Sequence, residues 1–282
     1  MSAQKTILIT GAQGFLGREL IKLLSNARVI QLVRNRPDTA HLNGVYADLN
    51  TLFKSENQVD VIFHLAAHIP SPAVPMDEEA LERVHVQLPK QLTHHYTTAK
   101  HVLASSISIY GAPMERTITW NTGSNAPNPY GLSKLRAESV IRETANHAVI
   151  RFSSIIGAEM KRTTMIPIML EDALQTKNIT IWGNGDRLQN YIDVRDAARI
   201  LMMCAEANEN LSVLGIGRYS RSNLEVAEIL AAMTKSSITF TPGADETGYR
   251  YDDREMHQHI GFIPKFELED SIRDIIATWT RS

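Results

Sequence analysis

The chain has 282 residues, enough for one large domain or two unequal ones. Its 29 Lys+Arg stand against 31 Asp+Glu, a formal charge of −2, which leaves no positive excess for non-specific nucleic-acid binding. The single cysteine, Cys204, excludes an intrachain disulfide, and no apolar run approaches the roughly 18–20 residues that span a bilayer.

In chain order, MSAQKTILITG runs straight into a buried strand without the apolar stretch of a signal peptide, which predicts a cytoplasmic protein with no membrane partner. GAQGFLG begins at Gly11, and the helix LGRELIKLLS follows. ARVIQLV, VDVIFHLAA, HVLASS and HAVIRFS are further β-rich runs. Helical patterns lie between them, including EEALERVHVQLPKQLTHHYTTA and SKLRAESVIRETA, and Pro89 predicts a kink or a late start in the first. Short strands alternating with helices predict an α/β fold, a Rossmann-type doubly wound parallel sheet covered on both faces. After about Gly157 the rhythm changes. MIPIMLEDALQT is helical, NITIWGNG is a strand ending in a turn, and YIDVRDAARILMMCAEA returns to strand and helix. LEVAEILAAMT and LEDSIRDIIATW are amphipathic helices, and no repeat or low-complexity stretch is present. Cys204, inside ILMMCAEA, reads as a buried helix thiol and not a nucleophile.

Gly11, Gly14 and Gly17 form GxxGxxG between a predicted strand and helix. Glycines permit the tight turn and let the backbone approach a pyrophosphate, and the helix N-terminus offers unpaired N–H groups. A glycine triplet alone is a weak signal, because strand-to-helix turns use glycine anyway; the strand and helix on either side strengthen it. His64 and His68 stand four apart, but no third ligand string lies nearby, so packed histidines and no metal site are expected.

Two later strings carry chemistry. ASSISIYG ends at Gly111 and NPYGLSK at Lys134. Tyr130 and Lys134 form YxxxK at a helix start, where i,i+4 spacing puts both side chains on one face. An ammonium beside the phenol favours tyrosinate, so the phenol can exchange protons nearer neutral pH. Tyr96 and Lys100 also read YxxxK, but they precede HVLASS on an outer helix and are a structural decoy. Strand alternation puts Ser106 and Ser108 on one face, which makes Ser108 a second substrate contact.

The three strings in this order resemble the extended short-chain dehydrogenase/reductase superfamily, the branch of sugar epimerases, dehydratases and reductases. The resemblance runs over nearly the whole chain. It implies a dinucleotide-binding domain over 1–157 plus about 186–217, and a smaller interleaved substrate domain over about 158–185 plus 218–282. It makes Ser106 the hydroxyl that orients the reacting oxygen, Tyr130 the proton-transfer group and Lys134 the ligand of the nicotinamide ribose. Ser106 lies 24 residues before Tyr130, close to the family interval. Cofactor contacts fall on Gly11, Gly14, Phe15, Leu16 and Gly17. They continue on Leu65, Ala66 and Ala67 in the strand-end string HLAA, and on Asp48 and Leu49. Asp48 is the family acid that binds the adenine amino group; as a residue it reads equally as a cap for LNTLF. NAD-specific members carry an acid after the second strand. Here Val33 is followed by Arg34 and Arg36, and a guanidinium can bind a 2′-phosphate, so NADP(H) is favoured over NAD(H), with a solvated arginine loop as the alternative.

The chain also departs from the family pattern. The 4,6-dehydratases place Asp–Glu after the Ser/Thr, whereas Ile107 and Ser108 stand here, so a dehydratase is not expected. Ser154 replaces the Asn of an RYFN-like string, and Gln189 occupies the Arg position of a GxGxxxR-like stretch, two residues from Arg187. Arg250 and Asp253 have RxxD spacing but lie close to HIGFIP. Either other cations, among Lys161, Arg162, Arg187 and Arg250, compensate, or the substrate is not a conventional nucleotide sugar. The expected substrate contacts are Ser108, Ser154, Arg187, Gln189 and Arg250. The expected function is NAD(P)(H)-dependent hydride transfer at a carbinol or carbonyl carbon of a sugar, nucleotide-activated as the family resemblance implies, with a keto-sugar reductase narrowly ahead of an epimerase that keeps its NAD bound. A non-catalytic dinucleotide sensor is the rival from another class, and intact Ser106, Tyr130 and Lys134 argue against it. The resemblance also points to a homodimer through the long helices after the third strand and after Tyr130.

Overall fold

The computed structural model describes residues 4–33, 45–46, 48–55, 57–71, 74–243, 248–252 and 254–280. The chain begins with β1 (Thr6–Thr10), α1 (Phe15–Lys22), β2 (Arg28–Leu32), β3 (Val45–Tyr46), α2 (Leu49–Lys54) and β4 (Val61–His64). A continuous helical stretch follows: α3 (Glu78–Leu81), a π-helical segment Glu82–Gln87, and α4 (Leu88–His95). Next come β5 (Lys100–Ser106), a 3₁₀ turn Ile107–Tyr110, β6 (Thr117–Ile118), α5 (Pro129–Arg142), β7 (His147–Phe152) and β8 (Ser154–Ile156). The remainder is α6 (Met165–Thr176), β9 (Asn178–Trp182), β10 (Leu188–Asp193), α7 (Val194–Glu206), β11 (Leu211–Gly215), β12 (Ser220–Ser222), α8 (Asn223–Thr234), β13 (Ser237–Thr241), β14 (Arg250–Tyr251), α9 (Arg254–Ile260) and α10 (Leu268–Trp279).

Among the described residues seven strands form one sheet in the order β11-β7-β5-β4-β1-β2-β3. Every pairing in it is parallel. Strand alternation sorts the side chains to two faces. Ile7, Ile9, Phe63, Val102 and Ile150 face Leu20 of α1 and Ile200, Leu201 and Cys204 of α7. On the opposite face, Leu8, Ile30 and Ile62 meet Leu52 of α2 and Leu92 of α4, while Leu103 and Val149 meet Ala137 and Ile141 of α5. This is the expected doubly wound Rossmann-type sheet. From β1 the chain winds first toward β3 and then back toward β11, so the strand order reverses at β1 and β4. The carboxyl ends of strands at such a reversal are where open α/β sheets bind ligands.

A second core gathers Ile156, Leu170, Ile179, Ile181, Leu230 and Ile272 from β8, α6, β9, α8 and α10. It carries the three-stranded sheet β12-β10-β8 and the pair β13-β9. β11 then returns to the large sheet, and Met256 and Phe262, in and after α9, pack on the first core. Pro89 does not delay its helix, which starts at Glu78 and runs on through Pro89 in the first turn of α4. The wider π-helical turn comes just before it, and that turn accommodates a residue that cannot donate an N–H.

Candidate active site

The glycine cradle is built by steric exclusion. Gly11 has φ +70°, and a Cβ there would stand 2.7 Å from the Ala66 nitrogen at the end of β4. A Cβ on Gly17 would meet the Gly11 carbonyl oxygen at 2.3 Å, so only glycine lets α1 start this close to β1. Gly14 is the N-cap of α1; no side chain caps the helix and its first turn holds no acid. An uncapped helix N-terminus beside glycines fits the pyrophosphate of a dinucleotide. Thr10, which the sequence did not single out, pins the wall of this cradle. Its Oγ1 accepts the N–H groups of Leu65 and Ala66, each at 3.1 Å. Phe15 lies beside Gly157, where a Cβ would come within 3.1 Å of its ring, and Leu16 packs on the first core. Asp48 takes its cap role: its carboxylate accepts the N–H and the hydroxyl of Thr51, both at 2.8 Å, and this holds it below the ordinary carboxylate range. Leu49 follows as the first residue of α2. Val33 follows β2 as a buried residue, while Arg34 and Arg36 lie outside the described residues.

Ser106 ends β5 beside Phe152 of β7 and caps the 3₁₀ turn. Its Oγ accepts the Ser108 N–H and donates to Ser108 Oγ, both at 3.1 Å. The two hydroxyls therefore meet as expected, but the turn brings them together and strand alternation does not, because the strand ends at Ser106. Asn128 and Pro129 start α5, with the Asn128 side chain accepting the Gly131 N–H at 2.8 Å. Gly131 lets this first turn press on the 3₁₀ segment, since a Cβ there would stand 2.4 Å from the Ser108 carbonyl oxygen. That approach brings the Tyr130 phenol close enough to the Ser106 hydroxyl for the hydroxyl to favour its ionised form. Lys134, one turn on and buried, donates to the Ala104 carbonyl at 2.9 Å, with its ammonium 5.9 Å from the Tyr130 ring centroid.

Electrostatics in the free protein run opposite to the simple YxxxK expectation. Burial pushes the Tyr130 phenol up to about 12, and the Ser106 hydrogen bond only partly offsets this. Burial also draws Lys134 down to about 8, with Glu138 pulling the other way. Desolvation is the largest cause at both groups because both are enclosed.

Several supporting residues had no sequence signal of their own. Glu138 and Arg151 form a buried bidentate pair, Nε to Oε1 at 3.0 Å and Nη2 to Oε2 at 2.8 Å. Ser105 donates to Glu138 at 2.6 Å, and Arg151 Nη1 donates to the Tyr110 hydroxyl at 2.9 Å and the Trp120 carbonyl at 2.8 Å. This network locks α5 against β5 and β7, one turn beyond Lys134. His85 lies edge-on to Tyr130, with ring centroids 5.5 Å apart. Helical spacing from Tyr130 and Lys134 could have flagged Glu138; His85 is placed by the π-helical segment, which sequence periodicity does not show.

The look-alikes separate cleanly. Tyr96 sits in the core under α2, while Lys100 donates to backbone carbonyls of Ala207 and Glu209. His64 Nε2 pairs with His101 Nδ1 at 3.0 Å, and the His68 ring meets the Pro75 carbonyl at 3.3 Å, so the two rings do not share a ligand position. Cys204 is buried in α7, and burial pushes its thiol up to about 12. Among the described residues no group of three potential metal ligands occurs, and no helix is long and apolar enough to cross a membrane.

Among the expected substrate contacts, Ser154 pairs in register with Tyr191 of β10 and is exposed. Gln189 is engaged: its Nε2 donates to Asn223 Oδ1 at 3.1 Å and lies 3.3 Å from Met165 Sδ. Arg187 acts electrostatically on both the Tyr191 and Tyr251 phenols, which burial raises above their ordinary value. Arg250 is exposed on β14, next to β6.

A doubly wound sheet, a glycine cradle at its reversal point, and a hydroxyl, phenol and ammonium at the end of β5 define an enzyme of the extended short-chain dehydrogenase/reductase class. The chain belongs to the NAD dependent epimerase/dehydratase family, whose model matches residues 7–217. It is similar to a UDP-glucose 4-epimerase of Lactobacillus helveticus, 24% identical, with 98% of this chain and 97% of the relative covered. It is similar as well to a dTDP-glucose 4,6-dehydratase of Actinoplanes sp., 26% identical, with 98% of each covered. In fold it matches the crystal structure of the UDP-glucuronic acid 4-epimerase from Bacillus cereus in complex with NAD, TM-score 0.83 and 20% identity, covering 98% of this chain and 99% of that one.

Proposed function

We propose that this protein is an NAD-dependent epimerase acting at a carbinol carbon of a nucleotide-activated sugar. One observation carries the reading: Ser106, Tyr130 and Lys134 stand together at the open end of the sheet, while Ile107 and Ser108 occupy the positions after Ser106. That set moves a proton at a sugar oxygen but has no second acid–base pair with which to expel water. Among the relatives, a 4-epimerase is therefore a better guide than a dehydratase.

A dinucleotide held in the glycine cradle would supply reversible hydride chemistry at the sugar carbon. The protein supplies the rest. Gly11, Gly14 and Gly17, with Phe15 and Leu16, hold the pyrophosphate, while Leu65, Ala66 and Ala67 wall the dinucleotide. Asp48 keeps lone pairs for the adenine amino group, with Leu49 beside it. Ser106 holds the reacting oxygen and Ser108 extends the hydroxyl chain. Tyr130 takes the proton from that oxygen and later gives it back, so protons balance over the cycle. Lys134 binds the ribose and, once charged groups gather around the phenol, eases its ionisation. The core around the large sheet acts as the dinucleotide unit and the second core as the substrate unit. Arg187 and Arg250 serve the substrate diphosphate, with Ser154 and Gln189 as neutral contacts.

A keto-sugar reductase using NADPH is the second reading, favoured by Arg34 and Arg36 after β2, where a guanidinium suits a 2′-phosphate. Mass spectrometry of nucleotides released on denaturation separates the two. Retained NAD⁺ with interconversion of UDP-sugars is the expected result. A preference for exchangeable NADPH, abolished in Arg34→Ala, would replace the epimerase by the reductase. Dinucleotide binding with no turnover of any sugar would support a sensor instead.

A further inference from the structure

His85 is a buried titratable side chain, 2% exposed, which the mechanism above does not use. It sits inside the π-helical segment Glu82–Gln87. A π-turn is less favourable than regular helix and tends to persist where it places a side chain for function.

The hydrogen bonds around this ring form a chain with one direction. The His68 N–H donates to His85 Nε2 at 3.1 Å. Nε2 is therefore the bare nitrogen, and the ring proton is on Nδ1, 2.7 Å from Ser133 Oγ. Ser133 in turn donates to the carbonyl of Tyr130 at 2.7 Å. Each donor is used once, and each link accepts on one side and donates on the other. His68 follows directly on Leu65, Ala66 and Ala67, the strand-end residues beside the cradle, and Tyr130 carries the phenol. The His85 ring also packs edge-on against the Tyr130 ring, at 80° between planes.

We propose that His85 is a positioning residue: as a neutral Nδ1–H imidazole it ties the loop after β4 to the first turn of α5, and so fixes Tyr130 relative to the dinucleotide wall. A charged imidazolium would put a second donor against the His68 N–H and break the chain. The surroundings favour the neutral ring, since burial first and then the Lys134 and His68 charges hold it down to about 3. Asn or Gln could replace both links of the chain, whereas a hydrocarbon ring would keep the packing and lose both.

The inference rests on the reading of Tyr130 as the proton-transfer group, and the test separates the two. Native protein, His85→Phe, His85→Gln, Ser133→Ala and Tyr130→Phe are compared with UDP-glucose as the probe substrate, alongside amide hydrogen exchange at His68. His85→Phe is expected to lower kcat by about 10- to 100-fold, the scale of a small misplacement of a reacting group, with KM within about twofold. His68 exchange should quicken, and His85→Gln should recover most of both losses. Ser133→Ala breaks the same chain from the other end in a variant with no core vacancy to speak of, and it should lower kcat with KM unchanged. Native kcat in His85→Phe or in Ser133→Ala, or a His85→Gln as slow as His85→Phe, overturns the positioning role. If native protein does not turn over UDP-glucose, the failure lies with the proposed substrate. His68 exchange then decides alone: quickening in His85→Phe reversed by His85→Gln supports the tie, and unchanged exchange overturns it.

Discussion

The two ends of the ligand cleft are built by different physics. At the cradle and the Tyr130 site, backbone sterics dictate nearly everything. Gly11, Gly17 and Gly131 each stand where a Cβ would collide with main chain, and Asn128, Asp48 and Ser106 cap helices or turns. At β8, β10 and β14, where substrate contacts are expected, side chains decide: Ser154 stands in place of the resemblance's Asn and Gln189 in place of its Arg. The first end specifies a chemistry that many substrates can share. In the reading proposed above, the second end selects the substrate, and its lining departs from the resemblance's pattern. Five substitutions, with Tyr96→Phe as a control, test that contrast, taken from the largest expected effect.

Glu138→Gln should destabilise the fold by about 3–5 kcal/mol, because it leaves the Arg151 guanidinium buried without its carboxylate. Urea unfolding monitored by circular dichroism reads this directly. A change under about 1 kcal/mol would show that α5 is held by apolar packing alone and that the catalytic end is less rigid than described. Tyr130→Phe comes next: kcat should fall at least about a hundredfold with dinucleotide binding retained. Tyr96→Phe, in the core under α2, should leave kcat near native. Equal losses in the two variants would erase the distinction between site and look-alike.

The sequence made the catalytic end legible because its signals are local. A strand, a glycine turn and a helix within one short stretch announce the cradle, and NPYGLSK carries its own cap, its Pro at the first turn and its close-approach glycine. The parallel sheet followed from short, continuously apolar runs such as KTILITG, VDVIFHLAA and HAVIRFS alternating with helices. The hidden parts depend on partners far apart in the chain. Thr10 pinning Leu65 and Ala66, Glu138 clasping Arg151, and His85 reaching Ser133 exist only once the strands are in register. Even the meeting of Ser106 and Ser108 was foreseen for the wrong reason, through strand alternation where a 3₁₀ turn operates. Arg34, on which the choice of NADP(H) rested, lies outside the described residues.

Lys134 sharpens the comparison through pH. Its folded value, about 8, lies below the ordinary 10.5, so the native state binds its proton less tightly than the unfolded chain does. Stability should therefore rise with pH between about 8 and 10.5 from this group, and below 8 the native state carries the full cost of a buried ammonium. Lys134→Met should abolish hydride transfer. It should nonetheless stabilise the fold at pH 7 by about 2 kcal/mol, after allowing for the lost bond to Ala104; the gain should vanish between pH 8 and 10.5 and turn into a small loss above that, when only the missing bond remains. Thermal unfolding across this range reads the difference. A variant less stable than native at every pH would show that the site is not strained by its own lysine.

The smallest effect is expected where the cleft has been rewritten. If the substrate carries a nucleotide diphosphate, Arg187 is the guanidinium placed to meet it, beside the buried Tyr191 and Tyr251 phenols. Arg187→Ala should then weaken UDP binding about tenfold, the loss of one charge-assisted phosphate contact. Gln189→Arg goes the other way. Gln189 now donates to Asn223 and touches Met165, contacts that hold β10 to the start of α8 and bring no charge. An arginine there restores the cation of the family pattern but gives up the Asn223 bond and must order a longer side chain. The net gain should be only severalfold, the surplus of a charged hydrogen bond over those costs. Calorimetry with UDP, dTDP, GDP and CDP on native protein and both variants settles the order. A gain in Gln189→Arg together with a loss in Arg187→Ala marks a diphosphate path on which a neutral residue has replaced a charged one. If native protein binds none of the four and Gln189→Arg does not create binding, the rewritten end was shaped for a substrate without a nucleotide carrier, and the search moves to free sugars and sugar acids with the Ser106, Tyr130 and Lys134 chemistry intact.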